Sequence, residues 1–311
     1  DCSKDSSWEV IKKCAKKYKK VMAVQTPKNT GNAAGAKNFG ASFVDTELIG
    51  FTDADSYPDR DSISKMIGHF DDKKVGAVTS MVLVKNKNKF IEKVQAIEYK
   101  LIAFNRKLLG FVEAIYVTPG PLALYRKNAY DKVGGFDNKN LTEDIEITWH
   151  LVSAGYIVKM SSLARVYTIA PSKIKVWIRQ RIRWNIGGMQ TIYKYKKYFA
   201  TGKAGMLGQF ILPFFIFNWV LGLVGIAVLI YRILRTIFVR YLATTYSIQS
   251  QAAILTFSDI NLTPSILVFF GITTIIMNFF LVVVALTYAK EKTLVKDRFF
   301  NILFFMFFYL L

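Results

Sequence analysis

The stretch that decides the fold is residues 47–55, ELIGFTDAD, which joins an apolar run to two carboxylates. The run Glu47–Thr52 predicts a buried β-strand, and the carboxylates of Asp53 and Asp55 follow it directly. In an open α/β sheet, ligands bind at the carboxyl ends of the strands, and two nearby carboxylates can hold a hard cation on a phosphate. The alternative is a solvated turn, because Asp-Ala-Asp followed by Ser-Tyr-Pro is also ordinary loop composition.

Strands and helices alternate on both sides of this stretch. The predicted elements are strand Glu47–Thr52, a helix near Ser62–Phe70, strand Val75–Val84, helix Phe90–Leu109, strands near Val112–Thr118 and Leu122–Tyr125, helix Glu143–Ala154 and strand Tyr156–Met160. Such alternation predicts an α/β domain with a mostly parallel sheet.

The composition excludes several classes of protein. The chain has 311 residues, of which 52% are hydrophobic, and it carries 42 Lys and Arg against 22 Asp and Glu, a net charge of +20. So apolar a chain is not intrinsically disordered. The two cysteines form no disulfide framework, and with only two histidines a structural zinc site is not expected.

The chain divides into a basic part and an apolar part. Two stretches, at about residues 208–231 and 265–289, are apolar over the roughly 20 residues that cross a bilayer, and a third begins near Phe299. We predict three regions: a soluble domain at 1–171, an interfacial amphipathic helix at 172–203, and transmembrane helices at 204–311. Because the chain starts at Asp1 and stops inside an apolar run, we expect it to be a fragment that lacks an element at each end.

The basic residues between the predicted spans give an orientation. The short loop 290–298 carries four Lys and Arg, whereas the longer loop 232–263 carries three. Loops rich in Lys and Arg stay on the cytoplasmic side. The first 203 residues are therefore predicted to be cytoplasmic, in a multi-pass protein of the cell membrane.

Three acids begin the predicted helix at Glu143. Acidic side chains at a helix start, as in Thr142-Glu143-Asp144, interact favourably with the helix dipole. These acids could therefore have a purely structural role. One helix dipole does not require three acidic residues, yet the first turn has Glu143, Asp144 and Glu146. A carboxylate here, distant in sequence from the Asp53/Asp55 pair, would suit a general base. Both explanations stay open on the residues alone.

A second motif, Gln180-Arg181-Ile182-Arg183-Trp184, lies in a basic amphipathic stretch. Apolar residues recur at three- and four-residue spacing from Ile174 to Tyr193 and form one stripe. Gln180 and Trp184 lie four residues apart and roughly opposite that stripe. The helix can therefore lie on a membrane and present Gln180 and Trp184 to the soluble domain, or it can serve as an anchor without chemistry.

These motifs, in this order and followed by transmembrane helices, resemble the membrane-embedded inverting glycosyltransferases of the GT-A fold. Those are the processive family-2 enzymes, which include the cellulose, chitin, hyaluronan and poly-N-acetylglucosamine synthases. The resemblance implies a role for each matching residue. Asp1 and Asp53 would contact the nucleoside, Asp55 would hold Mg²⁺ or Mn²⁺ on the diphosphate, Asp144 would be the catalytic base, Gln180 and Trp184 would border the acceptor, and Arg183 would meet the diphosphate.

The chain departs from the family pattern at two positions. Its start, DCSKD, resembles the family's DDGSxD nucleotide motif, with Cys2 in place of the glycine. Where the family often has Gly-Lys-Ala, this chain has Asn32 between Gly31 and Ala33. Either Lys28 supplies the corresponding donor phosphate contact or that contact is missing.

The resemblance implies an inverting enzyme that polymerises sugar from a UDP-sugar, UDP-GlcNAc or UDP-glucose, into a β-linked polysaccharide. Its partners would be the nucleotide-diphosphate sugar, a growing polysaccharide or lipid acceptor, and membrane lipids. The Tyr/Lys run at 193–198 favours anionic headgroups over nucleic acid. Two alternatives remain: non-processive transfer to a membrane lipid, and an inactive membrane scaffold derived from a transferase.

Overall fold

The computed structural model describes residues 1–250, 266–289 and 298–306. Two units emerge from the packing. The first comprises Asp1–Leu212 together with Val282–Leu311, and the second comprises Pro213–Leu281. The first unit contains the sheet and all the predicted site residues.

The sheet of the first unit has five strands and mixed direction. The strands are β1 (Leu48–Phe51), β2 (Ser56–Pro58), β3 (Val75–Val84), β4 (Ala123–Arg126) and β5 (Ile157–Thr168). Their order is β1-β4-β3-β5-β2, in which only β3 and β5 pair in parallel. The prediction of a mostly parallel sheet is therefore wrong, although the mixed α/β class is confirmed. Alternation of strands and helices predicts the elements, but it does not fix the direction of a short strand such as β4.

Helices occupy most of the remaining described chain. They are α1 (Ser7–Lys17), α2 (Ala33–Ala41), α3 (Ser64–Ile67), α4 (Phe90–Phe111), α5 (Lys127–Lys132), α6 (Glu143–Ser153), α7 (Ile174–Tyr195), α8 (Leu212–Ser250), α9 (Ile266–Tyr288) and α10 (Arg298–Phe304). The predicted strand near Val112–Thr118 does not form, and Glu113 there has a left-handed backbone (φ 53°) that interrupts an extended run.

The core of the first unit forms around β3, whose ten residues are all buried. Its Val, Ala, Met and Leu side chains form a near-continuous apolar run, as expected for a strand covered on both faces. Val78 and Val82 pack with Leu124 of β4 and Val166 of β5. Helix α4 contacts β3, which holds it against the sheet.

Among the residues that the structure describes, two helices are long and apolar enough to cross a membrane, by length and composition: Leu207–Gln249 and Phe269–Tyr288. Helix α8 extends beyond the first predicted span, 208–231, because it continues through Arg232 to Ser250. No glycine or proline interrupts residues 232–250, so nothing in the sequence stops the helix there. Most of the basic loop 290–298 lies outside the described residues; only Arg298, at the start of α10, is described.

Candidate active site

The carboxylates Asp53 and Asp55 follow β1, as the sequence predicts. Asp53 is half-buried, and its Oδ1 lies 3.6 Å from Nζ of Lys37, while Asp55 is exposed. A Cβ added to Gly120 would lie 2.5 Å from Oδ2 of Asp53, which shows how closely that backbone approaches the carboxylate. A side chain at position 120 would therefore push the Asp53 carboxylate out of this position.

The charges around Asp53 suit a cation. Burial raises the pKa of the Asp53 carboxyl, and the charges of Asp55 and Glu143 raise it further, whereas Lys37 lowers it. The site thus holds more negative charge than its one lysine offsets. Two carboxylates at a strand end, next to an anionic diphosphate, match the oxygen ligands that Mg²⁺ and Mn²⁺ prefer. The two carboxylates fit a divalent cation that a diphosphate also binds, since the described residues hold no cluster of three or more metal-ligating side chains. The role of Asp55 as its ligand stays a prediction.

Helix α6 begins beside these carboxylates. Its residue Glu143 accepts a hydrogen bond from Nζ of Lys37 at 2.9 Å, so Lys37 links α6 to Asp53. The Asp144 carboxylate accepts a hydrogen bond from the amide of Ile145 at 2.9 Å. The Asp144 carbonyl accepts one from the hydroxyl of Thr148 at 2.6 Å. Lys37 thus contacts Asp53 and Glu143, and its charge also acts on the neighbouring Asp144.

The pKa of Asp144 suits a base. Burial, and then the charge of Glu143, raises this pKa to about 6, although Lys37, the Ile145 amide and Arg183 each lower it. An acid with a pKa near the working pH is ionised at neutrality and still takes up a proton readily. A carboxylate that only interacts with the helix dipole would not need to be buried beside a second acid.

Lys37 lies between Asp53 and Glu143 in the candidate site, and the sequence alone did not identify it. Lys37 is the only charged residue of α2 and lies among small side chains, which is the signal that could have found it. Although burial lowers the pKa of Lys37, the charges of Glu143, Asp53 and Asp144 outweigh it, so the pKa is raised and the amine stays protonated.

Asn32, where the family often has lysine, is explained by the backbone. Its Oδ1 accepts the amide of Gly35 at 2.9 Å and caps the start of α2, and its Nδ2 donates to the Asn138 carbonyl at 2.6 Å. Asparagine is among the best residues at this capping position. The cap fixes the helix that carries Lys37 into the site.

The two remaining donor-site predictions lie near the start of the chain. The Asp1 carboxylate accepts hydrogen bonds from the Thr26 hydroxyl at 2.8 Å and from the Thr30 amide at 2.9 Å. Lys28 is exposed on the segment between these threonines. Asp1 is therefore held against the segment that carries Lys28 and leads into α2. The nucleotide-binding roles of both residues stay predictions.

Helix α7, which carries the motif Gln180–Trp184, packs against the start of α6. A Cβ added to Gly187 would lie 2.3 Å from Oγ1 of Thr142, the residue that precedes α6. One turn further on, the Thr191 hydroxyl accepts a hydrogen bond from Nδ2 of Asn140 at 2.9 Å. These contacts hold α7 directly on the start of the helix that carries Asp144.

The two faces of α7 differ as the sequence predicts. Gln180 and Trp184 are half-buried, and the Gln180 Oε1 is buried without a hydrogen-bond partner. The apolar residues of the opposite stripe are all exposed, among them Ile182 at 52%. Arg183 is exposed as well, and its charge reaches Asp144. The helix thus turns one face to the site and an apolar face outward.

Residues 48–309 match the sequence family described as "Glycosyl transferase family group 2". The chain belongs to glycosyl transferase family group 2. The match covers most of the chain, including the Asp53/Asp55 pair, α6 and α7, and it confirms the prediction of a family-2 glycosyltransferase.

Named relatives of this glycosyltransferase agree with that family. It is 32% identical over 216 residues to the poly-beta-1,6-N-acetyl-D-glucosamine synthase of Staphylococcus aureus (strain COL), which covers 69% of this chain and 52% of the relative. It is 31% identical over the same length to the synthase of that name from Staphylococcus epidermidis. The chain spans about half the length of these relatives.

A solved structure shares the fold. The mannosyltransferase PcManGT from Pyrobaculum calidifontis, in complex with GDP-Man and Mn²⁺, superposes with a TM-score of 0.53 at 21% sequence identity. The likeness covers 68% of this chain and 56% of that one. It confirms the GT-A type of fold for the first unit.

Proposed function

We propose that this family-2 glycosyltransferase transfers N-acetylglucosamine from UDP-GlcNAc, with inversion, onto a growing β-linked polysaccharide. The observation that carries the proposal is the contact of Gly187 with Thr142, which holds the acceptor motif of α7 on the helix of Asp144. The relatives named as poly-beta-1,6-N-acetyl-D-glucosamine synthases support the choice of sugar and of product.

The reaction is a direct displacement at the anomeric carbon. Asp144 takes the proton from an acceptor hydroxyl while the new glycosidic bond forms and the bond to the diphosphate breaks. Its raised pKa supports this role, because the group is ionised at neutral pH. Arg183, exposed and electrostatically close to Asp144, would stabilise the charge on the leaving diphosphate.

A divalent cation held by Asp55 would neutralise part of that leaving charge. Asp53 would contact the nucleoside beside it, with its carboxylate held by Lys37 and by the close backbone of Gly120. Asp1 and Lys28 would complete the nucleotide site from the segment before α2. These residues would orient the donor before the acceptor arrives.

The acceptor would bind along α7. Trp184 offers a flat aromatic ring, and the unpartnered Oε1 of Gln180 can accept a hydrogen bond from a sugar hydroxyl. A buried oxygen that accepts no hydrogen bond costs free energy in the free enzyme, and a hydroxyl of the bound sugar would remove that cost by donating to it. The exposed stripe of α7 would lie on the cytoplasmic face of the membrane, with α8 and α9 spanning it.

Trp184→Leu tests the acceptor role. Leucine keeps the hydrophobicity but loses the flat ring, so the variant should stay in the membrane fraction and lose polymer formation from UDP-GlcNAc. The contrasting variant is Ile182→Glu, which places a charge on the exposed stripe and should loosen α7 itself from the bilayer surface. Polymer of normal length from Trp184→Leu would remove the acceptor role and favour transfer to a lipid or an inactive scaffold.

The pH dependence of transfer tests the base. Because only ionised Asp144 accepts a proton, kcat/KM should fall about tenfold per pH unit below a pKa of about 6 and level off above it. Glu143 raises the pKa of Asp144 and Lys37 lowers it. Glu143→Gln should therefore move the acid limb to lower pH, and Lys37→Met should move it to higher pH. An acid limb that neither variant shifts would contradict the assignment.

A further inference from the structure

Arg181, inside the Gln180–Trp184 motif, is engaged by protein on two sides. Its guanidinium forms an ion pair with Glu98 of α4, and both side chains are largely buried, with 18% and 15% of their surface exposed. The guanidinium carbon lies 4.2 Å from the ring centroid of Trp184 and 5.6 Å from that of Trp177. One cation thus bridges α4 and the aromatic residues of α7.

The two arginines of the motif therefore differ in what they can do. Arg183 is exposed and acts on Asp144, so it can meet a substrate. Arg181 is committed to Glu98 and to the Trp184 ring. A planar guanidinium stacks on an aromatic face and pairs with a carboxylate at the same time, which lysine cannot do equally well. The sequence motif alone does not distinguish the two side chains.

Glu98, which pairs with Arg181, lies on a helix that is itself held in place. The Glu92 carboxylate accepts the amides of Asn88 and Lys89 at 2.9 and 3.0 Å and closes the first turn of α4. The buried face of this helix packs on the sheet. Glu98 therefore has a set position, and the guanidinium that it holds lies over the Trp184 ring.

We propose that Arg181, held by Glu98, is a positioning residue that fixes the indole of Trp184 and covers one of its faces. The acceptor sugar then stacks on the other face only, in one orientation relative to Asp144. This inference rests on the proposed acceptor role of Trp184. The affinity for the acceptor sugar would then depend on the Arg181–Glu98 ion pair, although neither side chain needs to contact the sugar.

The test is a double-mutant cycle on acceptor use. Arg181→Met and Trp184→Phe are made singly and together in the full chain, purified in detergent. Transfer from UDP-GlcNAc to a β-1,6-linked N-acetylglucosamine tetrasaccharide is then measured. A lost cation–π contact corresponds to between about threefold and about thirtyfold in affinity, so Arg181→Met should raise the acceptor KM by that factor. The KM for UDP-GlcNAc should stay the same.

Coupling decides the outcome. If Arg181 acts through the indole, Arg181→Met should raise the acceptor KM much less in the Trp184→Phe chain. Arg181→Lys should not restore the acceptor KM, because lysine keeps the charge but not the planar stacking. Effects that multiply independently, or an equal rise in donor KM, would overturn the inference. Arg179→Met, which removes an exposed charge from the same helix, is the matched control.

Folding and the proposed function are tested separately. Arg181→Met removes the guanidinium that pairs with the largely buried Glu98 carboxylate, so the paired variant Arg181→Met/Glu98→Gln removes both charges together. This pair should show the same selective rise in acceptor KM with an unchanged melting temperature. An unchanged acceptor KM in the folded pair would overturn the inference. Normal acceptor use by Trp184→Leu would instead sink the proposed function.

Discussion

Replacing Asp144 by asparagine should lower the rate of sugar transfer by about 10²–10⁴-fold while donor binding persists. Asparagine keeps the size of the side chain and its hydrogen bond to the Ile145 amide, but it cannot take the proton of the acceptor hydroxyl. The nucleotide contacts are assigned to other residues. Single-turnover transfer from UDP-GlcNAc and equilibrium binding of the donor measure the two effects separately.

The control for this variant is Asp45→Asn, which removes an exposed carboxylate just before β1. It should transfer sugar at the normal rate. Near-normal turnover by Asp144→Asn would take Asp144 out of the mechanism. A parallel loss of donor binding would indicate that the substitution disturbs the Lys37/Glu143/Asp53 cluster instead of the proton transfer.

Removal of divalent metal should bring turnover to background. In the proposed complex, Asp53 and Asp55 would face the negatively charged diphosphate of the donor, and Lys37 offsets only part of the carboxylate charge already there. EDTA should therefore abolish transfer, and added Mg²⁺ or Mn²⁺ should restore it. Asp55→Asn should raise the Mn²⁺ concentration needed for half-maximal binding of UDP-GlcNAc, which can be measured without turnover.

Asp59→Asn, an exposed carboxylate four residues further on, controls for the loss of one negative charge. It should leave the Mn²⁺ dependence unchanged. Full activity in EDTA would remove the metal from the proposal. An Mn²⁺ dependence of Asp55→Asn equal to that of the unaltered chain would assign the metal to other residues.

Much of the local structure could be predicted from the sequence. β3 and α4 form at the predicted places, because long apolar runs and long amphipathic periods determine elements locally. The direction of β4 depends on the neighbours that it finds in the folded sheet, which no local pattern contains. The extension of α8 past residue 231 was not predicted, because the change from apolar to basic residues suggested a boundary, whereas the helix accommodates both.

The site shows the same division. The motif residues Asp53, Asp144 and Trp184 could be named from the sequence, and in the structure the charge of one lysine acts on both Asp53 and Asp144. Lys37 and Glu98 could not be named, because their roles depend on contacts between elements far apart in sequence. A lone lysine in a small-residue helix is a weak signal until α6 is seen to pair with it.

The close approach of Gly187 to Thr142 limits how this enzyme can be recombined with its homologues. Helix α7 cannot be grafted as an independent cassette, since a donor helix with a side chain at position 187 would collide with the residue that opens α6. Chimeras joined between positions 142 and 187 should be inactive unless both parent sequences have small residues at these two positions. Transplanting acceptor preference thus requires moving both segments together.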